Sequence, residues 1–281
     1  MPKAATGWLF DQLKHHPDFW LPPTKEISYL SPSTTRVKSA EKWLVQLERP
    51  EKANRLRRWA NRRPDDTRDL EFLKDMTSRI GQSMDLAIYR SLFRFKENAL
   101  SGDLSSGYGA LAPDVLSQLQ THLPHTKIIL LVRDPVERAW SHLSMWHRVG
   151  HIEEGVLECP DALRQFLTKS GKFQKLSFAT AVASAWKKHA PKLAFRYYLF
   201  DDVVLNPRNA RSEILRFLGA DPEKVSGALS EGHNYKSRKK KLFLENHIRD
   251  ILVEHFREEL KACARMFGGA AECWPSRYGL A

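Results

Sequence analysis

A lysine followed by small residues stands at the start of the chain, directly before a stretch with helical periodicity. The segment PKAATGW spans residues 2–8, and the apolar positions after it lie on one face of a helix that ends before Pro17. The first N–H groups of a helix lack backbone partners and carry partial positive charge, and Lys3 adds a full charge. The sequence therefore predicts a phosphate or sulfate site made by these residues: Lys3, Ala4, Ala5, Thr6, Gly7 and Trp8.

The order of residues in this segment differs from that of the usual nucleotide-binding loop. In the pattern GxxxxGK[ST] the lysine comes at the end, whereas here Lys3 comes first and Thr6 follows three positions later. This order argues against a magnesium-dependent NTPase. Taken alone, the segment is also consistent with a flexible N-terminus followed by an ordinary helix start.

A strand, a turn and a helix are predicted in the middle of the chain. The apolar run KIILLVR, residues 127–133, is typical of a strand that is buried on both faces. Asp134 follows as a favourable N-cap, and Pro135 takes the first helical position. The residues that close the strand and open the helix should therefore share one edge of a sheet.

Two side chains at this junction suit a phosphate. Arg133 ends the predicted strand, and Ser141 lies two turns into the helix, with Arg138 three residues before it on the same face. Arginine offers a planar fork of donors, and a serine hydroxyl adds a neutral donor. The alternative is that Arg133 and Arg138 only form ion pairs with Asp134 and Glu137.

Together the two segments resemble the paired donor-binding motifs of the sulfotransferase superfamily, in the same order and at a similar separation. In that family they bind the 5′-phosphosulfate and the 3′-phosphate of 3′-phosphoadenosine 5′-phosphosulfate (PAPS). The later segments FATAVASAWKKHAP, YYLFDDVVLNP and ILRFLGAD also resemble elements of the family. The resemblance implies sulfuryl transfer from PAPS to a hydroxyl or amine of a carbohydrate or small-molecule acceptor, with release of adenosine 3′,5′-bisphosphate (PAP) and without a metal.

The segment KEISYL, residues 25–30, resembles the Lys-Glu-x-x-Tyr/Phe element of the branch that contains heparan sulfate sulfotransferases and many bacterial enzymes. In that branch the Glu is the general base, which implies that Glu26 takes the acceptor proton while Lys3 stabilises the leaving group. The alternative for Glu26 is a solvated carboxylate paired with Lys25. We expect a short extended segment here, with Glu26 and Ser28 on one face.

The segment SGDLSSGYGAL resembles the Gly-Glu-x-x-Pro-x-Tyr loop of the same branch, with Asp103 in place of Glu and Ser106 in place of Pro. Leu104 stands where some glycosaminoglycan enzymes carry an active-site Lys, and Ser28 where they often carry His. These departures weaken the assignment of a heparan-type acceptor.

The basic segment HNYKSRKKKL precedes a predicted helix, at the place where family members carry a loop that closes over the donor. The resemblance implies that basic side chains of residues 236–241 contact the donor. Lys239 and Lys240 are our candidates, and the choice among them and Lys236, Arg238 and Lys241 stays open. The alternative is a solvated basic face.

The elements that must position these residues alternate between strand and helix. We predict an α/β fold with a P-loop-like central parallel sheet, helices on both faces, and ligands beyond the carboxyl ends of the strands. A basic, Trp-bearing helical insertion is expected at about 36–94 within one domain of residues 1–281. The apolar first strand of the family has no counterpart before Lys3 in this sequence. Three explanations stay open: the strand lies upstream of Met1, another strand takes its place, or the loop is less rigid than in the family.

The composition excludes a disordered chain and favours an anionic partner. Apolar residues make up 42% of the sequence, and the formal net charge is +12. No apolar run approaches the ~20 residues of a membrane-spanning helix, and the N-terminus lacks the features of a signal peptide, so we expect a cytoplasmic protein.

Two other classes of function share some of these features. A P-loop kinase-like phosphotransferase uses a similar strand, loop and helix but needs magnesium and an acidic metal ligand. A non-enzymatic binder of nucleic acid or acidic polysaccharide would use the basic aromatic stretch at residues 55–63. The paired anion-binding segments favour the sulfotransferase, and nucleic acid is not an expected partner.

Overall fold

The computed structural model of the chain describes residues 1–31, 67–79, 82–153, 155–169, 171–224, 230–232 and 242–280. Most of the predicted helical insertion, together with Lys239 and Lys240, lies outside these ranges.

The described residues fall into two compact units. The first unit contains those within 1–7, 127–210 and 234–281, and the second contains those within 8–126 and 211–233. The chain therefore passes between the units more than once. The expectation of one domain over residues 1–281 stays a prediction.

Helices make up most of the regular structure in the described ranges. The first part of the chain contains α1 (Thr6–Lys14), α2 (Thr67–Ser78), α3 (Leu86–Ser91), α4 (Pro113–His122) and α5 (Pro135–Arg148). The later part contains α6 (Pro160–Lys169), α7 (Gly171–Lys175), α8 (Ala179–His189), α9 (Phe200–Leu205), α10 (Pro207–Leu218) and α11 (Asn246–Phe267). Short 3₁₀ turns occur at Arg94–Lys96, Ser106–Ala110, Gly269–Cys273 and Ser276–Tyr278.

A parallel pair of strands forms the sheet of the first unit. Strand β1 (Lys127–Val132) pairs with β2 (Ala194–Leu199) over their full lengths. Because the strands are parallel and in register, Arg133 and Phe200, the residues that follow them, lie at the same edge of the sheet. The predicted α/β fold with a parallel sheet is confirmed.

Local sequence signals explain why α5 starts where it does. The carboxylate of Asp134 accepts hydrogen bonds from the backbone N–H groups of Val136 and Glu137, which have no partner inside the helix. Pro135 occupies the first turn, where its missing N–H is not needed. The N-cap prediction is confirmed, and it fixes the direction in which α5 leaves β1.

Helix α11 supplies much of the core of the first unit. It packs against α5, α6 and α8, and it buries Ile251, Leu252, Phe256 and Leu260 on one face. Its buried Glu259 accepts hydrogen bonds from both the N–H and the hydroxyl of Thr180 at the start of α8. A carboxylate at a helix N-terminus stabilises the helix dipole, so α11 also anchors α8.

The second unit is built around α1 and a cluster of aromatic rings. Trp20, Phe72 and Phe95 pack edge to face or tilted, with ring centroids 5.8–6.2 Å apart. Among the helices of the described ranges, none is long and apolar enough to cross a membrane.

Candidate functional site

The loop before α1 has a strained backbone. Lys3 and Ala5 have φ angles of 67° and 64°, in the left-handed region that costs a non-glycine residue about 1–2 kcal/mol. Such a conformation persists only where the surroundings hold it. The loop contacts β1, where the Met1 nitrogen donates to the Leu131 carbonyl at 3.3 Å.

Arg133 joins this loop to the start of α5. Its Nη1 donates to the carbonyl oxygen of Lys3 at 3.2 Å, and its Nη2 forms an ion pair with Glu137 Oε2 at 2.9 Å. The guanidinium also lies over the ring of Phe200, 4.3 Å from the centroid. The ion pair between Arg133 and Glu137, which the sequence suggested as the alternative to phosphate binding, is therefore present. Because the Glu137 side chain is 44% exposed, this pair is weak and a phosphate can compete for Arg133.

Lys3 lies against α5, the helix that carries Ser141. The Lys3 Nζ lies 3.9 Å from Met145 Sδ, and Met145 is one turn beyond Ser141. Ser141 is partly exposed, and its hydroxyl has no hydrogen-bond partner among the described residues. Burial, together with the charges of Arg138 and Lys3, lowers the pKa of His142 to about 3, so this imidazole is neutral at pH 7. The structure therefore brings Lys3 and Arg133 together beside α5, and Ser141 lies one turn before Met145, which Lys3 contacts.

Arg138 is buried without a carboxylate partner among the described residues. Its guanidinium donates to Ser177 Oγ, lies 3.4 Å from His142 Nδ1 and packs on the ring of Phe173, while its Nε has no partner. Burial lowers the pKa of Arg138, and the charge of Arg133 lowers it further. The alternative that Arg138 pairs with acidic residues of the same segment is wrong. A positive charge without a neighbouring anion thus lies beside the proposed donor site.

The acidic neighbour of Arg133 is committed to other contacts. Asp134 is 1% exposed at its side chain, and its Oδ2 accepts a hydrogen bond from the Tyr278 hydroxyl at 2.9 Å. Arg277 lies 3.7 Å from the same oxygen and also pairs with Asp201. Burial raises the pKa of Asp134 to about 6 in spite of these donors. The C-terminal turn therefore fixes the junction between β1 and α5.

In the second unit, Glu26 is held by its neighbours. Its Oε2 accepts from the backbone N–H of Ser106 at 2.7 Å, and its Oε1 accepts from Ser106 Oγ at 2.9 Å and Lys25 Nζ at 2.6 Å. The side chain is 39% exposed. The alternative pairing with Lys25 is thus observed, but Ser106 orients the carboxylate as well.

The prediction of an extended segment around Glu26 is wrong. Glu26 and Ser28 have φ angles of 68° and 56°, so the backbone turns at both residues. The N–H of Ser28 donates to Ser105 Oγ at 2.8 Å and that of Leu30 to the Tyr108 hydroxyl at 3.2 Å. Buried N–H groups need acceptors, and here side chains replace the strand that an extended segment would pair with.

The remaining predicted site residues lie in or beside the loop before α1. Ala4 is fully buried in the loop. Trp8 belongs to the second unit, and its buried indole donates its N–H to the Glu231 carbonyl at 2.6 Å. No group of three or more His, Cys, Asp or Glu side chains that could hold a metal occurs within the described ranges. The expectation of a reaction without metal stays a prediction.

Comparison with known proteins decides the family. The model of the sulfotransferase family matches residues 1–224. The chain belongs to the sulfotransferase family. The structure of this sulfotransferase is similar to the crystal structure of a sulfotransferase from Alicyclobacillus acidocaldarius, with a TM-score of 0.62 and 18% sequence identity over 97% of this chain and 94% of that chain. That likeness supports a shared fold. No curated protein matches the chain.

The contact between Tyr278 and Asp134 predicts a pH-dependent effect of Tyr278→Phe. Because the pKa of Asp134 is higher in the folded than in the unfolded state, its protonation stabilises the fold below pH ~4. This contribution to the free energy of unfolding is lost as the pH rises through about 6. At pH 8 the ionised Asp134 depends on the hydroxyl, so the variant should lose about 1.5–3 kcal/mol of the free energy of unfolding. At pH 5, where Asp134 is mostly protonated, the loss should be smaller. Urea unfolding of the wild type and the variant at pH 5 and pH 8 measures the loss in the free energy of unfolding.

Tyr197→Phe is the matched control, because the Tyr197 hydroxyl donates to the neutral carbonyl of Phe267 at 3.0 Å. Its loss of stability should be the same at pH 5 and pH 8. Equal losses at both pH values for Tyr278→Phe would show that the ionised Asp134 does not need this hydroxyl.

Proposed function

We propose that this sulfotransferase transfers the sulfuryl group of PAPS to a hydroxyl or amine of a carbohydrate or small-molecule acceptor and releases PAP. Family membership supports sulfuryl transfer in general. The observation that supports PAPS as the donor is the hydrogen bond from Arg133 to the Lys3 carbonyl, which joins the two segments predicted to bind anions within one unit.

The charges around the start of α5 fit a doubly phosphorylated donor. Lys3, Arg133 and Arg138 are cationic, His142 is neutral at pH 7, and Arg138 has no acidic partner among the described residues. A buried charge is strongly destabilising unless it is paired, so a bound anion would supply what the folded chain lacks. The donor brings an activated sulfuryl group to this site.

Each part of the site has a proposed contact with the donor. Lys3 and the free N–H groups of Thr6 and Gly7 at the start of α1 would hold the 5′-phosphosulfate. Arg133 and the open hydroxyl of Ser141 would hold the 3′-phosphate. Lys239 and Lys240 are proposed to add positive charge over the donor.

In the proposed reaction, a bond forms between the acceptor atom and sulfur while the bond from sulfur to the phosphate oxygen breaks. Glu26 takes the proton that the acceptor loses. Lys3 and the N–H groups of the first turn of α1 stabilise the negative charge that develops on the departing phosphate oxygen. Positive charge for this step comes from the protein itself, so we propose that no metal takes part.

Transfer of label from ³⁵S-labelled PAPS tests the reaction. The enzyme is incubated without magnesium with each member of an acceptor panel: a phenol, a primary alcohol, an aminosugar and a sulfate-free oligosaccharide. In a separate reaction without an added acceptor, PAP release measures transfer to water. Parallel reactions contain γ-³²P-labelled ATP and magnesium. We expect labelled sulfate ester or sulfamate from PAPS alone. Phosphoryl transfer from ATP with no product from PAPS would identify a phosphotransferase.

Glu26→Gln tests the proposed base. The amide cannot accept the acceptor proton, so turnover should fall by about 10²–10⁴ while the dissociation constant of the donor stays unchanged. The exposed Glu71 in the same unit provides the matched control, and Glu71→Gln should turn over normally. Normal turnover of Glu26→Gln would remove Glu26 from the reaction.

Arg133→Ala tests the proposed phosphate contact. Loss of a charge-assisted hydrogen bond costs about 1.5–3 kcal/mol, so PAPS should bind about 10–150-fold more weakly. Equilibrium dialysis with labelled PAPS measures the dissociation constant. Arg164→Ala, which removes a half-exposed arginine of the same unit, is the control and should bind PAPS as the wild type does. Unchanged binding by Arg133→Ala would place the 3′-phosphate elsewhere.

A further inference from the structure

Asp103 is surrounded by hydroxyl groups. Its Oδ1 accepts from Ser105 Oγ at 2.5 Å, and its Oδ2 accepts from the Tyr108 hydroxyl at 2.5 Å and from the Tyr89 hydroxyl at 3.3 Å. Two of these hydroxyls also contact the segment that carries Glu26. Asp103 is therefore connected to Glu26 through side chains of its own loop.

The charge of Asp103 sets the direction of these hydrogen bonds. An ionised carboxylate only accepts, and each hydroxyl has one proton to donate. When Ser105 and Tyr108 donate to Asp103, their lone pairs remain for the N–H groups of Ser28 and Leu30, at 2.8 and 3.2 Å. While Asp103 is ionised, both hydroxyl protons point at its carboxylate and both oxygens present lone pairs to these N–H groups.

Both N–H groups follow Glu26 in the chain, within and just after a strained turn. Glu26 and Ser28 both have left-handed backbone conformations, which persist only when neighbouring contacts hold them. Ser106, the residue after Ser105, donates both its N–H and its hydroxyl to the Glu26 carboxylate. The loop of residues 105–108 thus contacts both the backbone that follows Glu26 and the Glu26 carboxylate.

We propose that Asp103 is a positioning residue for Glu26: its carboxylate orients the hydroxyls of Ser105 and Tyr108 so that they fix the turn on which Glu26 lies. The inference rests on the proposed function, in which Glu26 takes the acceptor proton.

Protonation of Asp103 should release this arrangement. Asp103 faces Glu26 and the hydroxyls of Tyr89 and Tyr108, and Glu26 is in turn paired with Lys25. Desolvation, with a contribution from the charge of Glu26, raises the pKa of Asp103 to about 6 although three hydroxyls donate to it. Below that pH one oxygen of Asp103 becomes a donor and competes with a hydroxyl, so we expect turnover to fall as Asp103 is protonated.

Asp103→Asn tests the proposal, because the amide places a donor N–H₂ against one of the hydroxyls at every pH. We expect amide hydrogen exchange in residues 21–31 to become at least about tenfold faster, with no change in α5. Turnover should fall by about 10–100-fold with the dissociation constant of PAPS unchanged, and the loss of activity near pH 6 should disappear. Asp103→Glu, which keeps the charge, should recover most of the turnover, and Asp114→Asn removes an exposed carboxylate of the same unit as a control.

A double variant separates positioning from other effects. If Asp103 acts through Glu26, adding Asp103→Asn to Glu26→Gln should lower turnover by no more than about twofold further. The proposal would be overturned if the losses of turnover of the two single variants multiplied in the double variant. Unchanged amide hydrogen exchange in residues 21–31 of Asp103→Asn would also overturn it. Turnover is measured as PAP released with the fastest acceptor of the panel and with water. A wild-type enzyme that releases no PAP would contradict the proposed function instead, and the exchange measurement would still decide whether Asp103 holds the turn.

Discussion

The contact between Arg133 and the carbonyl of Lys3 is the constraint on which the proposed donor site depends. Arg133 reaches the loop from the position directly after β1, and it packs on Phe200 because the parallel register puts the end of β2 beside it. The Asp134 cap then directs α5 so that it carries Ser141 along the same region. The geometry of the sheet, rather than the loop alone, thus positions the residues that we propose to bind an anion.

The cationic side chains near α5 exceed the acidic ones available to pair with them among the described residues, which favours an anionic ligand at this place. Arg138 has neutral partners among the described residues, and Asp134, the acidic residue beside Arg133, is already engaged by the start of α5 and by Tyr278. A fold that keeps a buried guanidinium without a carboxylate is stabilised when an anion binds nearby. The second unit uses the opposite arrangement, in which donors from Ser106 and Lys25 surround the Glu26 carboxylate.

The parts of this structure that local signals control could be predicted from the sequence. The apolar run of β1, the Asp134 cap and the place of Arg133 at the end of the strand depend on neighbouring residues. The turn at Glu26 could not, because it depends on hydroxyls about 80 residues away, and neither could the contact from Tyr278 to Asp134. The role of Ser106 was hidden for a different reason: it replaces the family's proline, which has no N–H to donate to Glu26.

Calorimetric titration of the wild-type protein with PAP and with ADP, each with and without magnesium, tests the central claim most directly. We predict that PAP binds one to one without magnesium and about 10–150-fold more tightly than ADP, because only PAP carries the 3′-phosphate that Arg133 and Ser141 are proposed to hold. Equal or tighter binding of ADP, a requirement for magnesium, or no binding of PAP would contradict it.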